Sequence, residues 1–291
     1  MVPLLTQNSM SNSSADQFFA PGSILTLLLT IDQAVFECNA SILKIFVPFT
    51  KSQVLLVELQ PRISRIPSLI ILKVYDPRFI KDREPTSSGF TPGHPWSLSL
   101  EIAAAEHRKA FACRECFDYV DFEGVYWENG FYGFTEDAFD SELAAYSCLQ
   151  DLQGVSIPRC YASGNLAVDL LRPISPHVLV LEYIPGETFS TITPSSVPRL
   201  LARSLITTVC SFASHGVIHC DLRKDNIIFS QQPSRVVVID FGELKLCKNE
   251  SDSKWESAVT KKGGEAHMKQ SSGIWGPTYS NPQNRANVWL C

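Results

Sequence analysis

Four short apolar runs packed into residues 24–75 constrain this chain more than any other feature. They read ILTLLLTI from Ile24, ILKIFVPF from Ile42, VLLVEL from Val54 and LIILKVY from Leu69. Each is rich in leucine and β-branched residues, and a few turn-forming residues separate one from the next. Runs of this length are strand-sized and fall far short of the roughly 20 residues that cross a bilayer. Connections this short demand antiparallel neighbours, because a parallel crossover takes a dozen or more residues. The spacing therefore predicts an antiparallel sheet of several strands. Asp32 ends the most apolar run and no basic segment precedes it, so it does not read as a secretory signal.

Downstream the pattern changes. Residues 76–98 are rich in Pro, Gly and Ser and read as a loop. From Leu98 to about Val120 the Ala- and Glu-rich composition predicts a helix. DFEGVYWENGFYGF reads as a connection, after which Thr135 is the expected N-cap of a helix that Gly154 closes. Phe139, Leu143, Tyr146 and Leu149 lie on one face of it. HVLVLEYIPG is an expected buried strand, stopped by Pro185 and Gly186. A further helix over 196–214 takes Ser195 or Ser196 as its cap and Pro198 in its first turn. IIFS and VVVID follow as short strands.

The bulk numbers narrow the choice of partners. With 291 residues, 45% of them hydrophobic, the chain can bury one large core or two lobes. A net charge of -5 gives no electrostatic reason to expect nucleic acid as a general partner. Nine scattered cysteines with a single CxxC, Cys113 and Cys116, lack the second pair that a zinc site needs. Free thiols in a reducing compartment are expected, and with them a cytoplasmic or nuclear location and no membrane.

The chemistry concentrates in HGVIHCDLRKDNIIFS, residues 215–230. Asp221 on a stiff turn can orient a hydroxyl and take its proton. Asn226 offers a neutral oxygen suited to magnesium. Arg223 can set a cation beside a transferring phosphate. Farther on, the strand VVVID ends in Asp240, placed for a second magnesium oxygen, with Gly242 expected to let the chain bend. Read alone, the first motif is also compatible with a capped polar turn and the second with a buried strand followed by an acidic turn.

Taken together, HCDLRKDN and IDFG resemble the catalytic and metal-binding loops of the protein-kinase-like phosphotransferases, which include the aminoglycoside phosphotransferases. The D-x-R after the lysine strand and LQG-x-x-IPR are most similar to divergent fungal-type members. The resemblance implies an α+β, bilobal protein-kinase-like fold. An antiparallel-sheet N-lobe over 23–184 would carry an inserted helix within about 76–134. A reduced helical C-lobe would cover 185–242, with a flexible tail at 1–22 and a divergent segment at 243–291. It implies ATP with Mg²⁺ bound between the lobes. Lys73 would hold the α and β phosphates, and Glu142 would hold Lys73. Backbone groups of Glu182 and Ile184 would face adenine, with Leu181 at the back of the pocket. Asn226 and Asp240 would carry the metal, and Asp221, Arg223 and Asn226 would form the catalytic set, with His219 bracing the loop.

The chain also departs from the family. No glycine occurs in the first hairpin, Cys220 stands where the catalytic-loop arginine is usual, and no A-P-E segment follows Gly242. Three functions therefore stay open. One is phosphate transfer to a protein serine or threonine hydroxyl. Another is transfer to a small-molecule hydroxyl. The last is nucleotide binding by a pseudokinase or scaffold.

Overall fold

Ile31 and Ala34 face each other across the two-residue turn Asp32–Gln33, whose φ angles are 49° and 69°. Both residues are left-handed, as a tight hairpin turn matching the strand twist requires, and the turn is built without glycine. It joins β1 (Ile24–Ile31) to β2 (Ala34–Phe46). The second strand begins well before the apolar run at Ile42, because the half-exposed segment from Ala34 pairs with β1 along its whole length. β3 (Gln53–Gln60) and β4 (Leu69–Tyr75) continue the antiparallel order.

The structure is a computed structural model that describes residues 18–85, 93–113, 122–193, 199–247 and 252–259. Among these residues the chain divides into two compact units, one within Met1–Leu143 and Arg159–Tyr183, the other within Ala144–Pro158 and Ile184–Cys291. The expected caps at Ser195, Ser196 and Pro198, the helix beyond Cys113, and the chain after 259 lie outside the described residues.

In the first unit the sheet closes on itself. β5 (Cys160–Leu166) and β6 (His177–Glu182) complete a six-stranded barrel in the order β1-β2-β3-β4-β6-β5, every pair antiparallel. Two register shifts help to curl it, one in β2 between Ile42 and Lys44 and one in β5 between Cys160 and Ala162. Alternating residues fill the interior: Leu27 and Leu29, Ala40 and Ile42, Leu55 and Val57, Ile70, Leu72 and Val74, Val178 and Val180. Phe19 is fully buried in the same core and edge-on to Phe49 and Phe79, so packing begins ahead of residue 23. Strand parity turns Lys73 and Tyr75 to the opposite face from Leu72 and Val74.

Among the described residues, two α-helices lie between β4 and β5, α1 (Leu98–Cys113) and α2 (Phe122–Cys148). The expected connection is thus helical from Phe122 onward, which corrects the reading of Thr135 as an N-cap. Its hydroxyl instead donates back to the Phe131 and Tyr132 carbonyls inside the helix. The buried stripe of α2 runs Val125, Glu128, Phe131, Thr135, Ala138, Phe139 and Glu142, at helical spacing straight past Gly130 and Gly133. Three of those seven residues are polar, which breaks the apolar pattern that marks a helix. Glu128 is stabilised by a bidentate pair with Arg83 at 2.8 and 2.6 Å.

A second polar knot follows β4. Asp76 caps the 3₁₀ turn Pro77–Phe79 and takes both Arg78 and Arg172, while Arg172 also pairs with Glu101 of α1. Burial pushes the Asp76 carboxyl up, but the two guanidiniums outweigh it and hold the group below its ordinary value.

The second unit contains α3 (Arg199–Ser214), whose Leu205 and Phe212 are buried, and two small sheets. In one, β9 (Ile227–Gln231) lies between β10 (Ser234–Val238) and β7 (Glu187–Thr188). In the other, β8 (Val217–His219) pairs with β11 (Leu244–Leu246). A short helix α4 (Asp252–Ala258) comes last among the described residues. No described helix is long and apolar enough to cross a membrane.

Barrel closure depends on Gly164. A Cβ there would sit 2.1 Å from the Leu28 carbonyl oxygen and 2.8 Å from the Leu29 Cα, in the seam where β5 meets β1. Backbone cannot yield as a flexible side chain can. Gly164→Ala is therefore expected to cost about 1–3 kcal/mol in urea unfolding; a change under about 0.5 kcal/mol would contradict the seam.

Candidate functional site

Lys73 and Glu142 are 69 residues apart in sequence, yet the Lys73 Nζ donates to Glu142 Oε2 at 2.5 Å. Both side chains are buried. Strand parity aims Lys73 off the barrel, and the α2 stripe aims Glu142 to meet it. The Tyr75 hydroxyl, one strand repeat beyond Lys73, donates to the same Oε2 at 2.7 Å. Tyr75 lies outside the sequence motifs, and its parity with Lys73 on β4 is the signal that marks it. Cys160 of β5 lies near enough for Glu142 to matter to it: burial first, then the Glu142 charge, pushes its thiol up to about 12. That thiol is inert at neutral pH.

The register places Leu181 of β6 opposite Ile71 on one side and Cys160 on the other. Glu182 donates its N–H to the Arg159 carbonyl at 2.8 Å, and its carboxylate accepts from the Arg159 N–H at 3.1 Å. Ile184 is buried in the second unit.

Within the second unit, the loop after β8 is held by its own residues. His219 Nδ1 accepts from the Asp221 N–H at 3.2 Å and Nε2 donates to the Ile239 carbonyl at 3.1 Å. A backbone N–H can only donate and a carbonyl can only accept, so the ring is the neutral Nε2–H tautomer. Asn226 Nδ2 donates to the Asp221 carbonyl at 2.8 Å and to its carboxylate at 3.0 Å. Both partners only accept, so the amide oxygen Oδ1 is turned the other way. Arg223 Nε lies 3.1 Å from Asp221 Oδ2, with its guanidinium about half exposed. The loop's far end is fixed by Ile239 N–H donating to the Asn226 carbonyl at 2.9 Å, one residue before Asp240.

Asp240 has φ 66°, the left-handed region that costs a non-glycine residue about 1–2 kcal/mol. The bend expected of Gly242 thus falls on Asp240 itself, because the backbone bonds of Ile239 and the packing of Phe241 fix both flanks. Phe241 is fully buried, with ring centroids 4.9 Å from His219, 5.6 Å from Phe212 and 5.9 Å from Tyr146. A strained polar residue between two such anchors points to a functional position. Among the described residues no three His, Cys, Asp or Glu side chains cluster to hold a metal by themselves. An Asn oxygen and one carboxylate completed by phosphate oxygens and water is the kind of set that suits magnesium.

The helix carrying Glu142 is also fastened two turns earlier. His177 of β6 lies 3.4 Å from Glu136 and stacks on Phe139 at 4.3 Å. The Glu136 hydrogen bond raises the His177 value above that of a free imidazole, against the burial that opposes it. Burial raises Glu136, but the His177 ring outweighs it and the carboxyl stays low. The raised histidine stabilises fully below about pH 6.5, and that contribution is lost as pH rises through its folded value. The lowered carboxylate keeps the pair intact until pH falls below the usual carboxylate range. His177→Gln is expected to lower the melting temperature by about 2 °C at pH 6 and by under about 1 °C at pH 8.5. An equal loss at both would contradict the clamp.

Comparison with known proteins bears on the same residues. Residues 149–261 match the ABC1 atypical kinase-like domain, a stretch that includes the His219–Asn226 loop and Asp240 but neither Lys73 nor Glu142. Serine/threonine-protein kinase D of Synechocystis sp. is 39% identical over 69 residues, 23% of this chain and 14% of that protein. Serine/threonine-protein kinase RIO2 of Caenorhabditis elegans is 30% identical over 103 residues, 35% of this chain and 17% of that protein. The chain thus spans less than a fifth of the length of either relative. These matches support a protein-kinase-like domain, of mixed helix and antiparallel sheet, in this chain.

Proposed function

We propose that the chain is an ATP-dependent phosphotransferase that passes the γ-phosphate to a serine or threonine hydroxyl of a protein. The observation that carries this reading is the buried Lys73–Glu142 pair, joined at 2.5 Å across 69 residues of sequence. A buried ammonium held by a carboxylate is suited to binding a polyphosphate, and a structural role alone would be served as well by apolar residues. When bound, ATP would supply the transferable phosphoryl group and magnesium would neutralise its charge.

In this reading Lys73 binds the α and β phosphates while Glu142 orients it. Asn226, turned by its bonds to Asp221, and Asp240, set by its left-handed backbone, hold the magnesium. Asp221 orients the acceptor hydroxyl and accepts its proton as the oxygen attacks the γ-phosphorus and the bond to the β-phosphate oxygen breaks. Arg223 neutralises charge on the moving group. Backbone groups of Glu182 and Ile184 receive adenine. Positioning and charge stabilisation supply most of the rate. The free thiols of Cys38, Cys148 and Cys247 accord with a cytoplasmic or nuclear setting.

A second reading, a nucleotide-binding pseudokinase, is favoured by the first hairpin. Its turn is Asp32–Gln33, where glycine would let backbone amides approach phosphates closely. Thermal unfolding with ATP and magnesium, followed by transfer assays on generic protein and small alcohols, separates the readings. The phosphotransferase reading expects a rise of about 5 °C at saturating nucleotide, lost in Asp240→Ala. Asp221→Ala is expected to keep the rise and lose about 100-fold or more in transfer. A rise without transfer, unaffected by Asp221→Ala, selects the pseudokinase. Transfer confined to small alcohols selects the small-molecule kinase, and no rise at all contradicts the proposal.

A further inference from the structure

β4 ends at Tyr75, two residues past Lys73, and Tyr75 pairs across the ladder with His177 of β6. The chain then leaves the sheet at Asp76, which is fully buried. The Gln53 side chain holds the Asp76 backbone at both of its groups, accepting the N–H at 3.0 Å and donating to the carbonyl at 3.3 Å. The Asp76 carboxylate accepts from the Arg78 guanidinium at 2.8, 3.0 and 3.2 Å and from Arg172 at 3.2 and 3.3 Å. Arg172, on the loop between β5 and β6, also donates to both carboxylate oxygens of Glu101 on α1, at 3.0 and 2.9 Å. Trp96 donates its indole N–H to the same carboxylate at 2.6 Å. Two carboxylates and two guanidiniums thus form a neutral, buried quartet directly beyond the lysine strand.

We infer that this quartet positions Lys73 for nucleotide phosphates, and that α1, acting through Arg172, is thereby part of the nucleotide site. The inference rests on the ATP-binding reading above and gives the segment between β4 and α2 a part in it. Asp76 and Arg78 are the D-x-R that follows the lysine strand. Strands open first at their ends, and Lys73 lies in the last three residues of β4. The place of the lysine therefore depends on how the chain is fastened where the ladder stops, and Gln53, Arg78 and Arg172 do that fastening at Asp76. Buried ions are a poor source of stability, since well-packed apolar residues in their place are often neutral or better. Their forked, directional bonds instead admit a single geometry, and a lysine that must meet a phosphate requires one.

Arg172→Met combined with Glu101→Gln removes a buried cation and a buried anion together. It leaves Asp76 with Arg78 and keeps an amide oxygen for Trp96, so the double variant is expected to fold. Calorimetric titration with ATP and magnesium, and separately with adenosine, gives the first readout. The double variant is expected to bind ATP about 5- to 10-fold more weakly than the wild type. Adenosine affinity is expected to stay within about 2-fold, because in the proposed reading the base lies at the opposite end of β4, where Ile70 and Ile71 pair with Glu182 and Leu181. Gly164→Ala, which strains the barrel seam, is expected to leave the ratio of the two affinities unchanged. Unchanged ATP affinity in the double variant, equal weakening of both ligands, or the same change of ratio in Gly164→Ala would each overturn the inference.

Amide hydrogen exchange without any nucleotide gives an independent readout. The amides of Lys73, Val74 and Tyr75 should exchange about 10-fold faster in the double variant, and those of Ile70 and Ile71 at the wild-type rate. If the wild type binds neither ligand, the phosphotransferase reading fails and the nucleotide role of the quartet falls with it. Exchange that is unchanged, or faster along the whole strand, overturns the clamp on Lys73 itself.

Discussion

A lysine and a glutamate buried together, with their charged atoms 2.5 Å apart, set the terms for the rest of the first unit. Removing two ions from water costs several kcal/mol each, and only close geometry with further hydrogen bonds offsets that cost. The surroundings of Lys73 and Glu142 are built to meet the condition. β4 is held between β3 and β6, so Lys73 cannot swing out with its strand. α2 is pinned along its length by Arg83 on Glu128, by His177 on Glu136, and by Tyr75 on Glu142. The long segment between β4 and β5 is thus the means by which a distant carboxylate reaches the lysine.

The loop in the second unit follows a different logic, since its polar groups are ordered by one another. His219 ties Asp221 to Ile239, Asn226 ties back to Asp221, and Phe241 packs under His219. Asp221 and Asn226 are held by backbone and side-chain bonds, Asn226 is also buried, and Asp240 is set by its left-handed backbone. The Cys220 thiol donates to the Ile218 carbonyl and its N–H to the Glu243 carbonyl. The stretch matching the ABC1 atypical kinase-like domain covers this loop. The lysine and glutamate of the first unit are supported by geometry alone.

Strands whose apolar residues form unbroken runs were legible from sequence. β1 and β4 begin and end where ILTLLLTI and LIILKVY do. Where burial is polar or backbone-driven, the sequence was silent. β5, CYASGNL, has no apolar run, and it is a strand because Gly164 lets it lie against β1 and close the barrel. The first half of α2 was hidden because Glu128 and Thr135 occupy its buried stripe beside Gly130 and Gly133. The motif spacing marked His219, Asp221, Asn226 and Asp240. It did not mark Tyr75, which acquires its meaning only when α2 delivers Glu142 to it, nor the left-handed backbone of Asp240.

The proposed function requires the buried lysine to meet nucleotide phosphates. An acyl phosphate of ATP transfers its acyl group to an amine lying beside the bound phosphates, so peptide mapping after brief labelling reports which lysine that is. Acylation is expected at Lys73, suppressed by excess ATP with magnesium and undiminished by excess adenosine. Labelling spread over exposed lysines such as Lys44 and Lys81, or labelling of Lys73 that excess ATP leaves untouched, would rule out phosphate contact at Lys73.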